Sequence, residues 1–122
     1  MSVTWIKKVE EKGFATLTNS YVVINQMFKD KFSSAYIAVL GVDEINNLII
    51  KPINLDESES PLYKNSVLLK ISVFNTFVRL GNTSNMKIIS DIIKADLSNN
   101  IKYETYWNEA ENALVIETGG GQ

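Results

Sequence analysis

The chain has 122 residues, 12 basic against 14 acidic side chains, a formal net charge of −2, and 45% hydrophobic against 21% charged residues. That balance is the balance of one folded domain rather than of a disordered chain, and the slight negative charge speaks against nonspecific nucleic-acid binding, which excess positive charge drives. Cysteine and histidine are absent, which removes disulfides, thiolate metal sites, the thiol nucleophile and the commonest general base.

Residues 1–13 lack the apolar run of a secretory signal, and no stretch approaches the roughly 18 to 20 apolar residues of a membrane span, so a cytoplasmic location is the expectation. At the start, Val3, Ile6 and Val9 recur at spacing three with Gly13 as a stop, which predicts a short helix. Residues 14–17 and 21–24 are β-rich and are split by Thr18-Asn19-Ser20, whose side chains bond nearby backbone and favour a hairpin. Ile24, Met27, Phe28 and Phe32 then share one face of a short helix, with Asn25 as its N-cap and Lys29, Asp30 and Lys31 on the other face. Tyr36–Val42 and Leu48–Ile53 read as strands around an Asp43–Asn47 turn, and Pro52 marks an edge or a strand end. Residues 54–65 are acidic and turn-rich and read as a solvated linker.

The second half predicts a strand at Phe77–Leu80, a helix over roughly 84–97, and a hairpin of Ile101–Trp107 with Ala113–Glu117. Met86, Ile89 and Ile93, beside Ile88 and Ile92, give that helix a wide apolar face, and Gly81–Ser84 supply a break and a choice of N-caps. The closing Gly-Gly-Gly-Gln, residues 119–122, has the composition of a flexible tail.

Leu17–Asn25 lies over Val73–Gly81 at an offset of 56, matching Asn19 with Asn75, Ser20 with Thr76, Tyr21 with Phe77, Val22 with Val78 and Ile24 with Leu80. Asp43–Ile50 lies over Glu109–Ile116 at an offset of 66. Two matching blocks in the same order predict an internal repeat. The expected fold is mainly β with short helices (α+β): β-β-α-β-β repeats at 14–53 and 70–117 form one pseudo-twofold barrel within a single domain, residues 1–118.

Strand, Asn/Ser turn, strand with an Ile-x-Ile-like pair, short helix and a hairpin with an Asp/Glu-x-x-Asn turn together resemble the swapped-hairpin barrel family typified by AbrB, SpoVT and MraZ. Ser20–Phe28 stands where a Gly-Arg-Ile-x-Ile-Pro-x-x-Ile-like signature sits, with Phe32 at its closing Leu. Tyr21 and Phe77 replace the usual arginine, and Asn25 and Gly81 the usual helix-opening proline. The resemblance implies a transcriptional regulator that binds double-stranded DNA sequence-specifically, as a barrel interleaving two such units, without catalysis or cofactor.

The residues that would carry DNA contacts are Arg79, the only arginine, in the hairpin matching the family's DNA-facing element; Lys70 upstream; and the basic cluster Lys7, Lys8 and Lys12, interrupted by Glu10 and Glu11. On the other reading, Arg79 points to solvent between Val78 and Leu80 and the lysines are a solvated helix face. The carboxylates Asp43-Glu44, Asp56-Glu57-Glu59 and Glu109-Glu111 fall in turns or the linker, where solvated charge is the ordinary account, and no phosphate-cradling glycine loop is present. Asn19 and Asn75 suit left-handed turn positions. Trp107, Tyr103 and Tyr106 read as packing residues before they read as a stacking platform, and Trp5 is placed to cover a barrel end. The alternative to DNA binding is a scaffold or protein-interaction module on the same fold; a homo-oligomer is open on both readings.

Overall fold

Thr18 sets the first reversal: its hydroxyl accepts from the backbone N–H of Ser20 (3.1 Å) and Tyr21 (2.9 Å), while its own N–H donates to the Tyr21 carbonyl. The flanking segments, β1 (Gly13–Leu17) and β2 (Val22–Asn25), therefore pair as a hairpin, with Ala15, Leu17, Val22 and Ile24 fully buried and the alternate residues half-exposed. A computed structural model of the chain describes residues 2–6 and 13–119. The elements that follow are a 3-10 turn (Gln26–Phe28), α1 (Lys29–Phe32), β3 (Ile37–Val42), β4 (Leu48–Ile53), α2 (Leu55–Ser58), a second 3-10 turn (Pro61–Tyr63) and β5 (Leu68–Leu69). Then come β6 (Ile71–Val73), β7 (Phe77–Leu80), α3 (Thr83–Ile93), β8 (Ile101–Asn108) and β9 (Ala113–Ile116).

All described pairings are antiparallel, in the order β5-β3-β4-β9-β8-β1-β2-β7-β6. The two edge strands, β5 and β6, are separated in the chain by Lys70 alone, so the sheet curls until its edges meet along one continuous backbone. The result is a nearly closed nine-stranded barrel, which leaves little unpaired edge. Leu40 donates to the Val67 carbonyl on one side of the seam and Gly81 to the Lys70 carbonyl on the other. The interior is filled by Leu17, Ile24, Leu48, Ile50, Leu80, Leu114 and Ile116, with Phe28 and Phe32 of the first helical stretch and Met86 and Ile89 of α3 packed onto it.

Several local expectations are corrected by tertiary contacts. Gly13 opens β1 instead of stopping a helix, because the Phe28 ring and Thr105 Oγ1 lie where its Cβ would be; residues 2–6 carry no regular structure, and the rest of the expected N-terminal helix lies outside the described residues. Trp5 is 80% exposed rather than buried over a barrel end. Gln26–Phe28 tightens to a 3-10 turn, which turns Met27 outward (44% exposed) while Phe28 and Phe32 stay buried. Asn25 precedes that turn without capping it: its Oδ1 accepts from the Phe14 N–H across the hairpin.

Among the described residues, those at positive φ are Asn46, Asn65, Lys94, Asn112 and Gly81, so Asn19 and Asn75 hold their turns in ordinary backbone regions. Left-handed Lys94 ends α3 at Ile93, short of the expected boundary, and α3 opens on a capping box between Asn82 and Asn85. The linker contains structure of its own: Asn54 and Glu57 form a capping box at α2, and Ser60 caps the turn that follows. Gly119 donates to Asn47 Oδ1, which ties the end of the described chain to the β3–β4 turn.

Candidate functional site

On a strand, alternate side chains face opposite ways, so the residues that do not enter the core form an outer lattice fixed by register. Across β7, β2, β1 and β8 the registers Arg79–Val23, Val23–Thr16 and Thr16–Lys102 place these four residues in one row over the outer face. The adjacent row runs through Phe77, Asn25, Phe14 and Glu104. These rows short of Glu104, with Thr18, Tyr21 and Thr76 at the ends, line an open groove of about 640 Å³ whose lining holds two cations, while the exposed Glu104 stands at its rim opposite Phe14.

Both cations lie on aromatic faces. The Arg79 guanidinium sits 4.1 Å from the Tyr21 ring centroid and 5.0 Å from that of Phe74, and Phe74 stacks on Phe77 at 4.7 Å. Lys102 Nζ stands 4.3 Å over the Phe14 ring. Such placement fixes long, flexible side chains at little cost. It also leaves Arg79 Nε buried without a hydrogen-bond partner, an arrangement that packing alone does not favour.

Of the residues expected to contact DNA, Arg79 lies in this groove, half-buried and held by rings rather than free in solvent. Lys70 is exposed at the barrel seam and is not part of the groove lining. Lys7, Lys8 and Lys12 lie outside the described residues. Sequence reasoning missed Lys102, Phe14, Tyr21 and Phe77 as a set; the available signal was parity, since each alternates with a core residue and so faces outward.

The barrel's other faces are chemically distinct. Asp43, Glu44 and Glu111 line a depression of about 580 Å³ with Val42 and Tyr106 over β3, β4, β9 and β8. Asp43 is engaged in its own turn, accepting from the N–H groups of Ile45 and Asn47 and from Asn47 Nδ2. A third depression, beside α3, mixes Lys87 with Asp91 and Asp96. There the backbone N–H of Ser98, and secondarily its hydroxyl, hold the Asp96 carboxyl below the usual aspartate range. No group of three or more carboxylates among the described residues is placed to hold a metal ion.

Tyr103, Tyr106 and Trp107 do not form one platform. Trp107 and Tyr103 pack against the core, with Trp107 edge-on to Phe32 at 6.4 Å and beneath Lys31, whereas Tyr106 points outward and is 46% exposed. No helix among the described residues is long and apolar enough to cross a membrane. No family model, curated protein or solved structure matches this chain.

Proposed function

We propose that the chain is a non-catalytic DNA-binding protein of transcriptional-regulator type, contacting DNA through the outer face of β7, β2, β1 and β8. The observation that carries this reading is the groove in which Arg79 and Lys102 stand at opposite ends of one row, each laid on an aromatic ring, with a single carboxylate, Glu104, at the rim. An anionic ligand with flat faces matches both parts of that lining. The overall charge of −2 is no obstacle, because the groove lining itself carries two cations while Asp43, Glu44 and Glu111 line a separate depression.

The same proposal takes the fold as two β-β-α-β-β units, 14–53 and 70–117, interleaved as in swapped-hairpin barrels. Two registers support it. In the β2–β7 ladder Val23 faces Arg79, its own equivalent at offset 56, and in the β4–β9 ladder Ile49 faces Val115, its own equivalent at offset 66. Strands that pair with their own copies about such a residue are what a pseudo-twofold axis generates.

The test is binding of the intact chain to random-sequence DNA, duplex and unpaired, over a salt series. Affinity should fall as salt rises, and Arg79→Ala should weaken it by roughly 1–3 kcal/mol if the contact is to a base. Failure to bind either form at low salt discards this reading. A second reading, a protein-interaction scaffold, is favoured by one observation: both groove cations are already engaged by the chain's own rings.

A further inference from the structure

The DNA-binding reading leaves open which form of DNA the groove receives, and its dimensions bear on that. Duplex DNA is read when a helix or a two-stranded ribbon enters a major groove about 12 Å wide. Here the cations stand on strands three intervals apart, which at about 4.8 Å per interval puts their backbones about 14 Å from one another before side chains are added. A four-stranded face of that width does not enter a major groove as a unit. The cationic heads are moreover drawn down onto Tyr21, Phe74 and Phe14 instead of projecting as probes of a groove floor.

Outward aromatic residues fit the other form. Phe14 and Phe77, both half-buried, share a row with one strand between them, so their Cα positions lie about 10 Å apart on the outer side of the barrel, with Lys102 over one face of Phe14 and Phe74 against one face of Phe77. Unpaired bases carry flat faces that stack on exposed aromatic rings whatever their sequence, while cations beside the rings meet the backbone phosphates. In a duplex those faces are stacked inside the helix and are out of reach.

Resting on the DNA-binding reading, we infer that the groove is a site for an unpaired DNA strand, whose bases stack on Phe14 and Phe77 and whose phosphates meet Arg79 and Lys102. The groove then recognises melted or single-stranded segments.

The experiment is fluorescence anisotropy of the intact chain with a labelled 15-nucleotide oligothymidylate and with a labelled duplex of the same length. The unpaired strand should bind more tightly at every salt concentration. Phe77→Leu, which stays apolar but loses the π face and the Phe74 stack, should weaken that binding by roughly 5- to 150-fold when measured well below its lowered thermal midpoint. Arg79→Gln and Lys102→Gln should each reduce the slope of log affinity against log salt by about 0.7. Equal or tighter duplex binding overturns the inference while leaving DNA binding in place, and binding of neither form overturns both. Comparing the two forms needs no variant, so the result stands even if Phe77→Leu is unstable; a stable Phe77→Leu that binds oligothymidylate like the parent chain also overturns the inference.

Discussion

Replacing Arg79 with methionine separates a residue kept for packing from one kept for a ligand. The guanidinium gains from Tyr21 and Phe74, 4.1 and 5.0 Å away; at about 0.5–1 kcal/mol per partly exposed contact, the two together contribute about 1–2 kcal/mol. Against this stands Nε, buried without a partner, which costs about 1–3 kcal/mol. Methionine keeps an unbranched stem between the rings, regains about 0.3–1.5 kcal/mol from sulfur–aromatic contact, and brings no donor into the site. The expected net effect of Arg79→Met is therefore a gain of about 1 kcal/mol, read in urea melts and as a rise of roughly 3–5 °C in thermal midpoint for a domain of this size. DNA binding should fall at the same time. A loss of 1 kcal/mol or more would refute the reasoning, because it would mean that the rings more than offset the stranded donor and that Arg79 is a structural element.

Gly13→Ala should destabilise by about 1–3 kcal/mol, because its Cβ would fall on the Phe28 ring and within 2.5 Å of Thr105 Oγ1; combining it with Phe28→Leu should cost less than the two changes summed, as a double-mutant cycle in urea would show. Cutting the chain between residues 54 and 65 should yield fragments that fold only when mixed, since the β2–β7, β4–β9 and β1–β8 ladders all cross the cut; circular dichroism of separated fragments checks this, and cooperative melting of either alone would contradict it. Asp96 should titrate below the ordinary aspartate range in carbon-13 NMR, and Ser98→Ala should restore only the smaller part of the shift, since the backbone N–H is its main cause. The sign is that of a depressed folded-state value: whatever stability Asp96 contributes is present above the unfolded aspartate range and lost as pH falls through the lowered value.

The hairpins and helices are written locally in this chain. Thr18 carries the acceptor for its own turn, Asp43 the acceptor for the next, and alternating runs such as Phe77–Leu80 state which side chains face inward. Signals of this kind act over a few residues, so sequence alone places β1, β2, β3, β4, β7, β8 and β9 within a residue or two of where they lie. It fails where a distant group takes over a local role: the Phe28 ring requires glycine at position 13, and Phe14 claims the oxygen that Asn25 would have used as a cap.

The face proposed for binding belongs to the second kind. That Phe14, Tyr21, Phe77, Arg79 and Lys102 face away from the core follows from alternation within each strand. That they lie side by side does not, because β1 meets β8 and β2 meets β7 only through ladders between residues more than 50 positions apart. Composition decided that no thiol, imidazole or disulfide chemistry operates here. Strand pairing decided the rest, by joining four strands from distant parts of the chain into a surface where two cations and their aromatic rings stand together.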